Sequence, residues 1–258
     1  VIGSEGNLFR TFLLKGEKMR LDKYLADMDF GSRKEVKNFI KKGLVSVNGT
    51  VIKSDKFQVK ENEDAVFFDG EPVVYQKYFY YLLNKPAGVI SATIDNYDET
   101  VMDLFDDEHY REDLFPVGRL DKDTEGLLVI TNDGALAHRL LSPKHHVEKE
   151  YYAQIAGVMT QADIEAFEKG LTIDGEACLP AKLMIDTIDE EEETSEIRLI
   201  LHEGKFHQVK RMVQAVGKEV TYLKRIRMGG LVLDTTLDYG EHRVLTEAER
   251  THLEQKNQ

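Results

Sequence analysis

The stretch Glu125-Gly-Leu-Leu-Val-Ile-Thr, closing on Asn132-Asp133-Gly134, sets the tightest limit on the fold. Four consecutive apolar residues, Leu127 to Ile130, lie between a charged segment and a cluster of turn formers. Such a run reads as a strand inside a core, and Ala135 then opens a helix. The segment before it, Gly118-Arg119-Leu120-Asp121-Lys122-Asp123, is therefore a loop delivered by a buried strand. A carboxylate in such a loop is anchored by the sheet yet faces a cleft, and Gly118 permits close approach of a ligand. Aspartates also end turns for purely local reasons, and from the loop alone Asp121 and Asp123 fit that description as well.

Around this strand the pattern is irregular. Strands are expected at 78–83, 151–155, 197–201, 220–227 and 231–233 besides 127–131. Helices are expected at 135–141, 161–169 and 209–216, the last with Val209, Met212, Val213 and Val216 on one face. Strands that are numerous and not alternated with helices favour a mixed, mostly antiparallel α+β domain with a central cleft over a doubly wound sheet.

Upstream lies a separate unit. Leu21, Leu25 and Met28 recur at helical spacing, and Gly31 ends that helix. Ser32 followed by Glu35 is a capping-box pattern opening a second helix. Val36, Phe39 and Ile40 form its apolar face and Gly43 stops it, while Arg33, Lys37 and Lys41, four apart, share one face. Val45, Val47, Val51 and Ile52 flank Asn48-Gly49, a two-residue hairpin signal. This small α/β module resembles the S4-type RNA-binding domain over "MRLDKYLADMDFGSRKEVKNFIKKGLVSVNGTVIK". The resemblance implies RNA contacts at Arg33, Lys34, Lys37, Lys41 and Lys42. A length of 258 residues accommodates two modest domains. The expected division is an extension foreign to the fold at 1–18, the S4-type module at 19–61, a polar linker at 62–77, the catalytic domain at 78–250 and a tail at 251–258.

The net charge of −13 is unevenly spread. Ser32 to Lys60 holds eight Lys or Arg against two acids, and Lys205 to Arg227 holds seven against one. Acids collect in Asp95 to Asp113 and Asp186 to Glu196. Basic islands on an acidic body suit a phosphate backbone where contact occurs and repel it elsewhere. With 41% hydrophobic residues and no apolar run of membrane-spanning length, a soluble protein is expected, without membrane partners. One cysteine, Cys178, fits a reducing, cytoplasmic setting and reads as a core residue. No oligomerisation signal is evident, so a monomer is expected.

The whole of "GRLDKDTEGLLVITNDG" is similar to the central motif of the pseudouridine synthase family that includes the ribosomal small-subunit enzyme. "LNKPAGVISA", "SPKHHVEKEYYA" and "EGKFHQVKRM" resemble the family's other motifs, in the expected order. The resemblance implies that Asp121 is the catalytic carboxylate, acting either as a nucleophile or on a ribose proton, and that Tyr151 lies over a flipped uracil. Lys210 is the expected cationic partner, standing where the wider superfamily carries arginine, with Arg211 as the alternative. Leu201 and the His202-Glu203-Gly204-Lys205 turn correspond to the part of the pocket that holds the uracil edge. Leu120, His207 and Gln208 fall in the same motifs and are expected at the substrate, and Arg119 is expected to stack in the space the target base vacates. Isomerisation neither oxidises nor adds anything, so neither cofactor nor metal is expected. His138, His145, His146, His202 and His207 show no ligand spacing.

The implied reaction is conversion of uridine to pseudouridine in 16S ribosomal RNA, naked or in an assembling small-subunit particle. The alternatives are a sibling synthase acting on 23S RNA and a non-catalytic RNA-binding assembly protein. A glycoside hydrolase using Asp121 and Asp123 as paired carboxylates is a further alternative, weakened by the absence of Trp.

Overall fold

A computed structural model describes residues 18–61 and 63–253. Within it the chain divides into two compact units at 77/78. The expected extension at 1–18 lies outside the described residues except for Lys18.

The first unit runs β1 (Lys18–Arg20), α1 (Leu21–Asp27), α2 (Arg33–Lys42), β2 (Val45–Val47), β3 (Thr50–Val51), β4 (Gln58–Lys60), β5 (Val66–Phe68) and β6 (Glu71–Val73). Ser32 and Glu35 form the reciprocal capping box at the start of α2, and Gly43 ends it in a left-handed conformation. Asn48 and Gly49 both take positive φ, as a tight hairpin between β2 and β3 requires. Leu21, Leu25, Val36, Ile40, Val45, Val47 and Val59 form the core.

The expected linker at 62–77 is corrected. β5 pairs with β2 and β6 pairs with β5, completing a four-stranded antiparallel sheet in the order β3-β2-β5-β6. Val66 and Val73 enter the same core. The acids of this stretch sit at a turn, where Asp64 accepts hydrogen bonds from Asn48 Nδ2 and the Lys60 N–H. Two strands of three residues are too short to show a period beside such a charged turn.

The second unit contains β7 (Tyr80–Lys85), β8 (Phe115–Pro116), β9 (Glu125–Thr131), α3 (Gly134–Leu141), β10 (Lys149–Ala156), α4 (Gln161–Lys169), β11 (Thr172–Ile173), β12 (Glu176–Ala177), β13 (Lys182–Asp189), β14 (Thr194–Leu201), α5 (Gln208–Ala215), β15 (Glu219–Met228), β16 (Leu231–Val232), β17 (His242–Val244) and α6 (Glu247–Leu253). Nine strands make one mixed sheet, with the path β13-β14-β10-β15-β9-β7-β17, β16 beside β15 and β8 beside β9. Every pair in it is antiparallel except β15 with β9.

The run Leu127–Ile130 is apolar throughout because both faces of β9 are covered. Leu128 and Ile130 join a core with Val209, Met212 and Val213 of α5 and Phe167 of α4. Leu127 and Val129 join a second core with Leu136, Ala137 and Leu140 of α3. A strand buried on both faces reads as a continuous apolar run.

One further expectation changes. The C-terminal tail expected at 251–258 is helical as far as Leu253, which is fully buried in the second core, while 254–258 lie outside the described residues. The acidic stretch Asp186 to Glu196 is a hairpin joining β13 to β14, with Glu190 to Glu193 at its tip. No helix among the described residues is long and apolar enough to cross a membrane.

Candidate active site

The loop between β8 and β9 carries Asp121, and β7 with the turn after it holds that loop in place. Lys85, at the end of β7, is fully buried. Its Nζ donates to the carbonyls of Pro86 and Thr124 at 2.9 Å and of Lys122 at 3.4 Å. Burial pulls its pKa down to about 8, against the opposing pull of Asp123, Glu125 and Asp121. The Gly88 N–H donates to the Lys122 carbonyl at 2.7 Å. The Ser91 hydroxyl donates to the Leu120 carbonyl and accepts from the Leu120 N–H, both at 3.0 Å. Lys85 and Ser91 both stand in the "LNKPAGVISA" segment, and their roles as clamps on the Asp121 loop were missed at the level of sequence. A lysine in an apolar strand was the available signal.

Gly118 sits in a left-handed turn conformation. Its φ is +82°, and a Cβ there would lie 2.8 Å from Leu141 Cδ2.

Asp121 faces a small open cleft of about 70 Å³ that is also lined by Arg119, Leu120, Thr124, Tyr151, Leu201, Lys205, His207, Gln208 and Leu223. Leu120, Leu201, Leu223 and the ring of Tyr151 are buried and supply apolar walls. Two cationic or potentially cationic side chains approach the carboxylate from α5 and the residue before it. Lys210 Nζ lies 3.5 Å from Asp121 Oδ2, and His207 Nε2 lies 3.5 Å from Oδ1.

Lys210 is shared between two carboxylates. Its Nζ is 2.6 Å and 2.8 Å from the two oxygens of Asp123, closer than to Asp121. That hydrogen bond, outweighing partial burial, holds the Asp123 carboxyl below the usual carboxylate range. Lys210→Met is expected to return the Asp123 titration to the ordinary range near ~3.9, read from its carboxyl carbon shift against pH.

The remaining candidates separate. Arg119 is exposed on the cleft's lining, with no ion pair or hydrogen bond among the described residues. Gln208 is buried and braces the preceding turn, donating to Glu203 Oε1 at 2.7 Å and accepting from the Lys205 N–H at 2.8 Å. Arg211 is turned away from Asp121. It pairs with Asp174 and donates to the Phe206 carbonyl at 3.1 Å. Adjacent residues on a helix diverge, so Lys210 and Arg211 cannot both face the cleft. Arg211, expected at the substrate or as the alternative to Lys210, is engaged in this brace and not brought to Asp121.

In the first unit Arg33, Lys34, Lys41 and Lys42 are exposed. Lys37 instead lies 3.7 Å from Asp22 and 3.9 Å from Asp55. Burial of Asp22 would raise its pKa, but the hydrogen bonds and charge of Arg20, with Lys37 adding, lower it on balance. Lys37 is therefore engaged within the module.

Among the described residues, one cluster has metal-ligand spacing, Asp106, His109 and His242, and it includes none of the five histidines considered in the sequence. Its members are engaged in packing. The Asp106 carboxylate accepts from the Glu108 and His109 N–H groups, and the His242 ring stacks on Phe105 at 4.0 Å.

The second unit thus joins a mixed sheet, a carboxylate loop, Lys210 and His207 at one apolar-walled cleft, and its class follows from the families that the two units match. The chain belongs to the RNA pseudouridylate synthase family, whose model matches residues 79–215, and residues 19–64 match the S4 domain. It is 50% identical over 232 residues to an uncharacterized RNA pseudouridine synthase of Bacillus subtilis, covering 90% of this chain and 96% of the relative. It is 41% identical to the ribosomal small subunit pseudouridine synthase A of Vibrio cholerae, covering 90% and 97% of the two chains. The Escherichia coli protein of the same name is 38% identical, covering 90% and 98%. A solved pseudouridylate synthase superimposes with a TM-score of 0.62 at 35% identity, covering 91% of this chain and 99% of that one. Its membership makes the chain a pseudouridine synthase, an isomerase.

Proposed function

We propose that this protein converts a uridine of 16S ribosomal RNA to pseudouridine, with Asp121 as the catalytic carboxylate. The observation that carries this is the placement of Asp121 in an apolar-walled cleft, 3.5 Å from both Lys210 and His207. The small-subunit target is supported by the names of the Vibrio cholerae and Escherichia coli relatives.

The reaction breaks the N1–C1′ bond of the nucleotide, rotates the uracil and joins C5 to C1′; C5 gives up its proton and the freed N1 takes one up, so the product is an isomer. An anion is needed at the nucleotide, and Asp121 supplies it. Lys210 balances its charge electrostatically, with the His207 ring beside it. The walls formed by Leu120, Leu201, Leu223 and Tyr151 suit a flat base taken out of its stack, and an aromatic face suits a flipped pyrimidine. On this reading Arg119, exposed at the cleft, stacks in the space the base leaves.

The test is release of tritium from C5-labelled uridine in full-length small-subunit and large-subunit RNA transcripts, and in partly assembled particles. Release from small-subunit RNA alone is the expected result. Release only from large-subunit RNA would move the assignment to the sibling enzyme. Tight binding without release from any of them would favour a non-catalytic assembly protein.

The exposed cations of α2 should contribute affinity and not bond breaking. Replacing Arg33, Lys34 and Lys41 together by Ala, and leaving Lys37 with Asp22, is expected to weaken RNA binding. The slope of log K against log salt should fall by about 2 to 3 units, roughly 0.7 to 0.9 per phosphate contact. Filter binding between low and physiological salt measures this. An unchanged slope would remove that face from the RNA contact.

A further inference from the structure

The turn between β14 and α5 is braced from several directions. Leu179 N–H donates to Glu203 Oε1 at 2.9 Å, Gln208 closes the turn on itself, and Lys205 Nζ donates to the Ala177 carbonyl at 2.7 Å. Arg211 secures the Phe206 carbonyl. On this rigid base the Phe206 side chain is left 75% exposed. Folding gains little from an aromatic ring held in water. The ring is nonetheless ordered by a neighbour, stacking on the His207 imidazole with centroids 3.8 Å apart and planes 18° from parallel. His207 in turn lines both the Asp121 cleft and the adjoining concavity formed with Ala87, Gly88 and Lys210. A parallel aromatic stack thus begins at the carboxylate and ends in solvent on a bare phenyl face.

We infer that Phe206, backed by His207, is a stacking platform for the nucleobase next to the target uridine. This rests on the proposed RNA-modifying function and adds a positioning residue to it. Flipping a nucleotide deprives its neighbour of a stacking partner. An aromatic side chain replaces that partner without demanding a particular base, because every base presents a π-face. The nearby charged groups suit the flanking phosphates, with Arg119 free at the cleft and Lys210 beside Asp121. A protein partner would have to use a single ring set beside charged groups, which is too small an apolar area for a stable interface.

The experiment is steady-state tritium release from C5-labelled small-subunit RNA by the full chain and four variants. Phe206→Ala is expected to raise KM about tenfold, with kcat falling no more than about twofold. Phe206→Leu keeps the apolar bulk and loses the π-face, so it should behave like Phe206→Ala. Phe206→Tyr and Phe206→Trp should restore KM. Melting curves should coincide, because the ring is exposed. An unchanged KM for Phe206→Ala, or rescue by Leu equal to rescue by Trp, overturns the platform. If the unaltered chain releases no tritium, the proposed function fails separately. The platform is then read by quenching of a single-stranded RNA oligonucleotide carrying 2-aminopurine. Quenching lost in Phe206→Ala supports it, and equal quenching by both proteins overturns it.

Discussion

Asp121→Asn is expected to lower tritium release at least ~10³-fold while leaving RNA affinity within about threefold, because under the proposed function it removes the anion that acts on the bond being broken. The amide keeps the shape of the side chain and the loop geometry set by Lys85 and Ser91. Asp123→Asn is the informative comparison. Its carboxylate lies 2.6 Å from Lys210 but is 73% exposed, so it is largely solvated. Losing it frees Lys210 to move toward Asp121, and the expected loss of activity is less than about tenfold, of the size of an exposed ion pair. Single-turnover rates at saturating RNA separate the two. Substantial activity in Asp121→Asn alongside an inactive Asp123→Asn would transfer the catalytic assignment to Asp123.

Gly126→Ala is expected to cost about 4 kcal/mol or more and to lower the melting temperature by roughly 10 °C, the range of severe backbone strain in a domain of this size. Gly126 has φ of +97°, and a Cβ there would meet the Arg225 carbonyl oxygen at 2.3 Å and the Arg225 nitrogen at 3.1 Å. Both are backbone atoms, so no rotamer relieves the clash. Gly126 is where β9 meets β15, the parallel junction that joins β13-β14-β10-β15 to β9-β7-β17. Separating those strands would also shift the Asp121 loop away from Tyr151 and α5. Gly134→Ala provides the control, because nothing lies within 4 Å of a Cβ there and its φ is ordinary for a helix start. That change should be neutral or slightly stabilising. Equal melting of the two variants in calorimetry would sink the steric account of Gly126.

Much of the local structure was legible because near neighbours decide it. The α2 cap depends on Ser32 and Glu35 three residues apart, and the β2–β3 turn depends on Asn48-Gly49. Helix α4 matched its expected span of 161–169 for the same reason. The edge strand β13 was hidden by its charges and by an exposed face that needs no apolar residues, and β5 and β6 by their length. In the site, the order of the motifs pointed to Asp121, Tyr151 and Lys210 as residues to be brought together. Their separations in space, and the clamp from Lys85, were not readable.

By itself the amino-acid sequence determined the elements whose signals span a few residues: caps, tight turns, amphipathic helices, the buried β9 and the charged loop ahead of it. Only the tertiary structure decided which side chains in those elements meet. Lys210 reaches Asp121 and Asp123 while Arg211 beside it turns to Asp174, and Lys37 is drawn to Asp22 while Lys41, one turn on, remains exposed. The physical reason is that a periodicity places a residue on a face, whereas its charge partner comes from a strand or loop far along the chain. That partner is chosen by how the sheet closes and what the two cores cover.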